Sequence, residues 1–592
     1  MLLPFLSALL PNANAALVRG LQAQLVRLPL LAEISENTIR RLLPEEAWFC
    51  LPGGKRLKRD SDNEGALFLV LSGSLGVFAA ENGGGHRQIA QLSPGEVLGE
   101  GGLLTHGPQL ELAALRDSEI LRLSPAGFEL LASQHPRLML AMIAGLAQRL
   151  TDPARDHRRR NEAKTFALVP MQEGLADEPL AERLAAALGQ AGTKACVIDA
   201  DAASQPAEWF ATLEAAHTVI LYRGDTPDSA WTQHCIRQAD RILLLAHSGR
   251  PLPLKPMRGL KQQVCGLPEL VLLHPGPARQ RLHAPYGLRR DSFESLHHIR
   301  QGNDEDIRRL ARCVSGRAVG LVLGGGGARG FAHIGMVKAL SEAGVPFDYL
   351  GGVSMGAIIA AGLACEWSLE DLEQRMRAAF VKSHPLTDYT FPLIALVKGR
   401  KMTKLLSSSF GKTAIEEMAR PYFCISSDLT TGHIHEHRIG PLWRALRASA
   451  ALPGIVPPVT HHGHLLVDGG VMNNLPVDIM RKRRIGPLIA CDVTGIIDFS
   501  VRDRNYGERP IWRMLWQKVA GMPSIFDILT RAGTLGSEAQ RRLVRDEADL
   551  LIEPPLEGLG PLDWKSFDRA VAEGYAYTAD QIDKHGLPFA GF

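Results

Sequence analysis

The 592-residue sequence lacks several features that would place a protein in a class at once. No apolar run reaches the roughly 18 residues that a membrane-spanning helix needs, so we expect no transmembrane anchor. The eight cysteines include no C-x-x-C pair, which favours reduced thiols in a cytoplasmic setting over a disulfide framework. The net charge of +3 is small for this length and gives no support for nucleic-acid binding.

The N-terminus lacks the full pattern of an export signal. Residues 2–10 are apolar and small residues follow them, but no basic segment precedes them and Pro4 interrupts them. We therefore expect a packed or membrane-touching segment here, in a protein that is cytoplasmic or peripheral to the inner face of the membrane. The chain exceeds what one hydrophobic core organises, so three domains of ordinary size are expected.

The sequence does contain two short glycine-rich segments, each after an apolar run typical of a buried strand. GGGGARG at 324–330 follows residues 319–323, and GVSMG at 352–356 follows residues 347–350. In a G-x-S-x-G turn the serine lies on a sharp bend from strand to helix, and glycines are needed because a Cβ would strike the neighbouring backbone. The two segments predict an oxyanion-binding loop followed by a nucleophile, Ser354.

Two other interpretations of the glycine run fit less well. Residues 325–330 match the dinucleotide fingerprint G-x-G-x-x-G, but Arg329 places a long cation where a pyrophosphate needs bare backbone. A Walker-type phosphate loop requires Lys-Ser or Lys-Thr after the last glycine, where this chain has Phe331 and Ala332. The sequence therefore favours an acyl-transfer site.

A nucleophilic serine needs a base. α/β-Hydrolases place their residues in the order serine, acid, histidine, but after Asp468 only His585 remains. The stretch LLVDGG at 465–470 instead offers an aspartate at the end of an apolar strand, with glycines that allow close backbone approach. The better interpretation is a dyad of Ser354 and Asp468.

These motifs, in this order, resemble the patatin-like phospholipases, which use a serine and aspartate dyad and no histidine. The connecting segments RASAALPG at 447–454 and NNLP at 473–476 are also similar to that family, and the resemblance covers residues 315–592. The resemblance implies that Ser354 is the nucleophile and Asp468 its base. It also implies that the oxyanion is held by the backbone amides of Gly325, Gly326 and Gly327, in a loop oriented by Arg329.

Residues 1–152 are β-rich, with two strand-like runs around a Ser-Gly turn within 67–78 and a helical pattern over 125–150. With GEVLGE at 95–100, this region resembles the cyclic nucleotide-binding domain, a jelly-roll-like barrel with C-terminal helices. In that family a Gly-Glu pair holds the ribose and a downstream Pro-Arg pairs with the cyclic phosphate. Here Glu100 is present, but Gln109 stands where the arginine is expected.

The glutamine at this position weakens the predicted nucleotide site. Arginine forms a forked, charge-assisted contact with phosphate, whereas glutamine offers only a neutral dipole. Loss of a charged hydrogen bond of roughly 1.5 to 3 kcal/mol lowers affinity about tenfold to a hundredfold or more. We therefore expect a degenerate sensor or a docking module that binds cyclic nucleotides weakly or not at all.

Residues 161–300 alternate apolar runs with helical segments, which predicts a parallel α/β layer. The predicted strands are 166–169, 195–198, 218–222, 242–246 and 271–273, and the clearest helix is 180–188. The loop after the first strand lacks the lysine of a phosphate loop, so a transmitting or docking domain is expected. Residues 231–245 resemble the segment between the cyclic nucleotide and patatin regions in bacterial relatives of neuropathy target esterase.

Two further patterns have a chemical and a structural interpretation. Histidines 433, 435 and 437 would share one face of a strand, as metal ligands do, but a solvated edge strand is favoured. Residues 512–519 place two tryptophans at helical spacing beside basic residues. That pattern is typical of a helix in a lipid interface, although a core-facing helix of the last domain is favoured.

The sequence thus predicts a multidomain fold with three parts: an N-terminal jelly-roll-like β-barrel with helices at 1–152, a middle α/β domain at 161–300 and a C-terminal α/β patatin-like hydrolase domain at 315–592. The expected reaction is hydrolysis of acyl esters of phospholipids or lysophospholipids, without cofactor or metal. A membrane surface is an expected partner, and nucleic acid is not. The alternative is a catalytically silent regulatory or cyclic nucleotide-responsive binding protein.

Overall fold

The computed structural model describes residues 47–57, 66–80, 86–98, 110–134, 163–252, 267–275, 282–285, 288, 292–494, 545 and 547–587, apart from short gaps at 93, 95, 176–177, 206 and 484. The chain divides into two compact units, one of residues 1–247, 251–271 and 292–294, and one of 248–250, 272–291 and 295–592. Among the described residues, no helix is both long and apolar enough to cross a membrane.

The first unit begins with an antiparallel sheet of six strands. They are β1 (Ala47–Leu51), β2 (Arg56–Leu57), β3 (Leu67–Ala80), β4 (His86–Leu92), β5 (Val97–Leu98) and β6 (Leu110–Leu123). Their order is β1-β6-β3-β4, while β2 also pairs with β6 and β5 with β3. Alternate residues of β3 such as Phe68 and Val70 point into one buried apolar cluster, because successive strand side chains face opposite ways.

The predicted Ser-Gly turn within 67–78 is wrong, because these residues form the single strand β3. Gly73 has a φ of 89°, and the register against β6 shifts around it. The Ser118 hydroxyl of β6 accepts the Ser74 amide at 2.9 Å, which keeps the irregular stretch within the sheet. The predicted helix over 125–150 is described only as α1 (Pro125–Gln134), and closure of the sheet into a jelly-roll barrel stays a prediction.

Four parallel strands follow in the same unit, in the order β10-β7-β9-β8. They are β7 (Thr165–Pro170), β8 (Ala195–Ile198), β9 (Val219–Arg223) and β10 (Arg241–His247), and the helices between them are α2 (Leu180–Gln190), α3 (Ala207–Ala216) and α4 (Ala230–Gln238). With β11 (Glu269–His274), all five predicted strands and the predicted helix are present, their ends shifted by no more than two residues. Strand β12 (Leu296–Arg300) was not predicted, because its two buried histidines break the apolar pattern.

The second unit contains an eight-stranded sheet in the order β17-β18-β15-β14-β13-β19-β20, with β16 also paired to β15. Its strands are β13 (Gly320–Leu323), β14 (Tyr349–Gly352), β15 (Tyr422–Asp428), β16 (His433–His437), β17 (Val459–His461), β18 (His464–Asp468), β19 (Leu488–Cys491) and β20 (Leu550–Ile552). Strands β15, β14, β13, β19 and β20 are parallel, whereas β18 runs antiparallel to β15.

The described α-helices of this unit are α5 (Asp304–Val314), α6 (Ala332–Glu342), α7 (Ser354–Ala364), α8 (Leu369–Met376), α9 (Arg400–Phe410), α10 (Leu442–Ser449), α11 (Val477–Arg481) and α12 (Phe567–His585). Strands β13 and β19 are apolar and buried on both faces, as parallel strands between helices are. The carboxyl ends of β13 and β14 lead into the two glycine motifs, which places both motifs at the same edge of the sheet.

Candidate active site

Ser354 stands where β14 turns into α7 and is the first residue of that helix. Its φ is 53°, a left-handed conformation that costs a non-glycine residue roughly 1 to 3 kcal/mol. A Cβ on Gly352 would lie 2.8 Å from the Leu323 carbonyl oxygen, and one on Gly356 would lie 2.2 Å from it. The predicted strand-to-helix bend and its need for both glycines are confirmed, and the helix N-terminus lies where negative charge would develop.

The glycine loop after β13 lies directly beside Ser354. A Cβ on Gly325 would come within 3.3 Å of the Ser354 Cβ and 2.4 Å of Asn474 Oδ1, so only glycine fits there. The Gly325 amide donates to the Asn474 carbonyl at 3.2 Å and is therefore engaged. Within the part of the chain that the structure describes, the amides of Gly326 and Gly327 have no acceptor. These two remain available to an oxyanion.

The side chains of Arg329 and His333 hold this loop in place through hydrogen bonds to backbone carbonyls. Nε of Arg329 donates to the Leu559 carbonyl at 2.6 Å, and its Nη1 donates to the Thr494 carbonyl. Nε2 of His333, a buried residue of α6, lies 2.8 Å from the Gly324 carbonyl. Burial lowers the pKa of His333 to about 4, so at neutral pH the ring is uncharged and Nε2–H donates to that carbonyl. Arg329 thus contacts the loop's surroundings and does not point a free cation into the site.

Asp468 ends β18 and is 2% exposed. Strand β15 lies between the strands of the two predicted residues. Its Cys424 pairs with Gly352 of β14, and two residues further on its Ser426 pairs with Asp468 of the antiparallel strand β18. Burial raises the pKa of Asp468 to about 6, although a hydrogen bond from the Gly470 amide and the nearby Ser354 side chain lower it. The structure therefore brings the two predicted residues close together, and burial makes the carboxylate more basic than an exposed aspartate.

The histidines lie elsewhere. Among the described residues, no histidine forms a hydrogen bond with Ser354 or Asp468. His464 Nδ1 lies 2.7 Å from Asp428, and the His461 ring contacts other histidines. His437 is buried and bonds Ser426, so the predicted solvated edge strand is wrong at that end of β16, while His433 is exposed as expected. The described residues contain no group of side chains placed to hold a metal ion.

Two residues that the sequence analysis did not single out also shape the site. The hydroxyl of Ser449, fully buried at the end of α10, accepts the Ser354 amide at 3.1 Å. The Asn474 side chain donates to the Gly325 carbonyl at 3.0 Å and to the Thr494 hydroxyl at 2.9 Å. Both lie in the connecting segments 447–454 and 473–476, whose family resemblance was the available signal. Glu100, Gln109 and the helix predicted at 512–519 lie outside the described residues.

Three family models match consecutive parts of the chain. A cyclic nucleotide-binding domain model matches residues 50–135, a Neuropathy Target Esterase family P-loop like domain model matches 162–313, and a patatin-like phospholipase model matches 321–481. The second unit is thus similar to patatin-like phospholipase domains over residues 321–481. The three matches, in this order, confirm the resemblance to the neuropathy target esterase-like members of the patatin-like family.

Curated relatives align with almost the whole chain. Patatin-like phospholipase domain-containing protein 6 of Pongo abelii is 29% identical over 90% of this chain and 44% of its own length. Neuropathy target esterase sws of Drosophila melanogaster is 28% identical over 94% and 44%. Lysophospholipase NTE1 of Kluyveromyces lactis is 28% identical over 91% and 48%. The chain spans less than half the length of these relatives.

One solved structure similar to part of the chain is the catabolite activator protein of Thermus thermophilus. It is 27% identical, and the match covers 27% of this chain and 71% of that one with a TM-score of 0.19, too low to bear on the fold.

Proposed function

We propose that this chain is a carboxylic ester hydrolase that cleaves acyl esters of phospholipids or lysophospholipids with a dyad of Ser354 and Asp468. The observation that carries the proposal is a buried Asp468 carboxylate close to the side chain of Ser354, a serine on a strained turn beside two amides that have no acceptor among the described residues. Strained backbone, a raised carboxylate pKa and unsatisfied donors rarely coincide except where a reaction is catalysed.

The proposed reaction has two stages. The Ser354 Oγ attacks the ester carbonyl while its proton passes to Asp468, and the amides of Gly326 and Gly327 hold the oxyanion. The tetrahedral intermediate collapses, the C–O bond to the alcohol breaks, and Asp468 returns the proton to the departing alcohol. Water then attacks the acyl-enzyme while Asp468 takes its proton. The acyl C–O bond to Ser354 Oγ breaks, Asp468 returns the proton to that oxygen, and the fatty acid is released. Asp468 is thus the proton acceptor and donor in both stages.

An aspartate acts as this base because of its surroundings. A pKa near 6 lies about one unit below neutral pH, whereas an exposed aspartate near 3.9 lies about three below it. General bases work best when their pKa is close to the working pH. Burial of Asp468 therefore recovers roughly 3 kcal/mol of driving force relative to an exposed carboxylate.

The substrate class is inferred from the relatives. One carries the name lysophospholipase and others patatin-like phospholipase, which supports an ester of a glycerophospholipid or lysophospholipid as substrate. We further propose that residues 1–152, 161–300 and 315–592 are the three domains and that the first is a degenerate sensor or docking module. A cytoplasmic or peripheral membrane location fits this reaction.

A fluorophosphonate probe tests the proposal directly. We expect the probe to label the wild-type protein but not Ser354→Ala. Ser449→Ala should be labelled more slowly, because the Ser449 hydroxyl that it removes only positions the Ser354 amide. Unlabelled wild-type protein would instead support the alternative, a regulatory binding protein whose esterase is silent. Loss of labelling at Ser354→Ala combined with release of fatty acid from lysophosphatidylcholine by the wild type completes the assignment.

A further inference from the structure

A short loop of the second unit exposes four large apolar side chains. Tyr389, Phe391, Leu393 and Ile394 are 65%, 78%, 83% and 73% exposed. Single exposed apolar residues are common on soluble proteins, but a contiguous group is typical of a surface that meets another apolar phase. We call residues 389–394 the apolar loop.

The backbone of the apolar loop is closed on itself. Tyr389 forms an isolated β-bridge with Val397, and the Thr390 amide donates to the Leu396 carbonyl at 3.0 Å. The amide of Lys398 donates to the Asp388 carbonyl at 2.8 Å. These bonds give the loop a defined base, so its apolar tip is held outward by the fold.

The base of the loop is packed against the segment that borders the active site. The amides of Leu396 and Val397 donate to the carbonyls of Gly454 and Ile455 at 2.9 and 3.1 Å, and Val397 is buried with Ile455. Three residues before Gly454, the Ala451 carbonyl accepts the Asp468 amide at 2.9 Å. The loop is therefore tied through one short stretch of chain to the proposed base.

Basic residues flank the apolar loop in the sequence. Residues 382–404 contain five lysines and arginines and one aspartate. Lys398, Arg400 and Lys401 directly follow the loop and are exposed. The carboxylate of Asp388 accepts the amides of Arg400 and Lys401, so it is already engaged by backbone. Apolar side chains flanked by cations are the pattern that binds the interface of a bilayer containing anionic lipids.

We propose that the apolar loop inserts into the surface of a bilayer that contains anionic phospholipids and brings the active site to its substrate. The inference rests on the proposed function for its purpose, but the binding itself does not need catalysis. Leu429 and Leu465 are two further exposed leucines of the second unit, and the Leu429 amide donates to the Leu465 carbonyl at 2.9 Å.

The binding test uses full-length Ser354→Ala protein, which cannot consume the lipid, and vesicles of phosphatidylcholine with and without phosphatidylglycerol. Co-sedimentation with the anionic vesicles is expected, and Leu393→Ser combined with Ile394→Ser should weaken it about tenfold or more. The control Leu267→Ser removes an exposed leucine of the first unit and should change nothing. Arg400→Gln with Lys401→Gln should weaken binding to the anionic vesicles only.

A second readout separates the loop from the chemistry. In the active protein, the Leu393→Ser and Ile394→Ser variant should keep its kcat/KM on a short water-soluble ester and lose activity on vesicles. Wild-type binding that is absent, or equal in the loop variant, overturns the proposal, as does light scattering that shows the loop pairing two copies of the chain. Failure of the proposed function would appear separately, as an unlabelled Ser354 in a protein that still binds vesicles.

Discussion

Asn474 and Gly325 are joined by two hydrogen bonds, one in each direction. The Asn474 side chain donates to the Gly325 carbonyl at 3.0 Å, and the Gly325 amide donates to the Asn474 carbonyl at 3.2 Å. The pair links the loop after β13 to the segment after β18. Because Ser354 lies against Gly325, this link positions the proposed oxyanion donors relative to the nucleophile.

Removal of the Asn474 amide should therefore reduce catalysis. Asn474→Ala leaves the Gly325 carbonyl without its buried donor, at a cost of about 1 to 3 kcal/mol. We expect kcat on a soluble ester to fall about tenfold to a hundredfold while KM changes little. Thr494→Val removes only the other acceptor of that amide and is expected to have a smaller effect. A wild-type kcat for Asn474→Ala would contradict the positioning role.

Substitution of Gly326 tests the oxyanion loop. A Cβ there would lie 2.7 Å from Val493 Cγ2, so Gly326→Val must shift the loop. Loss of one oxyanion donor typically lowers kcat by about 10² to 10³. The matched control is Gly189→Val in α2, where an added Cβ meets nothing within 4 Å. Normal hydrolysis of a short-chain ester by Gly326→Val would remove this loop from the mechanism.

The pH dependence of the reaction should follow Asp468. Because burial raises its pKa to about 6, kcat/KM for a neutral ester should rise with pH through an apparent pKa near 6 and then level off. Asp468→Asn keeps the shape but cannot accept the proton, so nearly all activity should be lost. A profile that persists in Asp468→Asn and disappears when His461, His462, His464 or His585 is replaced would show that a histidine is the base.

The same carboxyl should destabilise the fold at high pH. Its pKa is about 6 when folded and 3.8 when unfolded, so the folded state holds the proton more tightly. This contribution to stability is fully present below pH 3.8 and is lost as pH rises through 6. The difference of roughly 2 units corresponds to about 3 kcal/mol. Asp468→Asn should thus be more stable than wild type at pH 8 and similar at pH 4 by urea unfolding, and a stability difference that does not change with pH would contradict this linkage.

Cyclic nucleotides should bind the first domain weakly or not at all. Gln109 offers no charge to the cyclic phosphate, and Gln109→Arg should raise affinity for cyclic AMP or cyclic GMP if Glu100 and the remaining pocket are intact. Calorimetry on both proteins measures this. Tight binding to the unaltered protein would reject the degenerate-sensor interpretation.

The strands of the middle region and the serine turn could be predicted because their signals are local. A buried parallel strand is a short apolar run, and a G-x-S-x-G bend requires glycine at fixed positions. Secondary structure was predicted wrongly where the local sequence pattern and the pairing in the folded protein disagree. Gly73 is a residue type typical of turns, but the strand continues on both sides of it because those residues pair with β6. Strand β12 could not be predicted from its apolar pattern, because it contains two buried histidines whose burial depends on residues far along the chain.

By itself, the sequence determined the order of the three family resemblances and pointed to the proposed nucleophile and base, because each depends on residue types at fixed spacing. Only the tertiary structure decided which loop amides are free, what raises the pKa of Asp468 and which apolar residues stay outside. The Gly325 amide is engaged by Asn474, 149 residues away, and no spacing rule contains that contact. Exposure of the apolar loop likewise depends on how its base packs at Gly454 and Ile455, because burial is a property of the assembled fold and not of the segment.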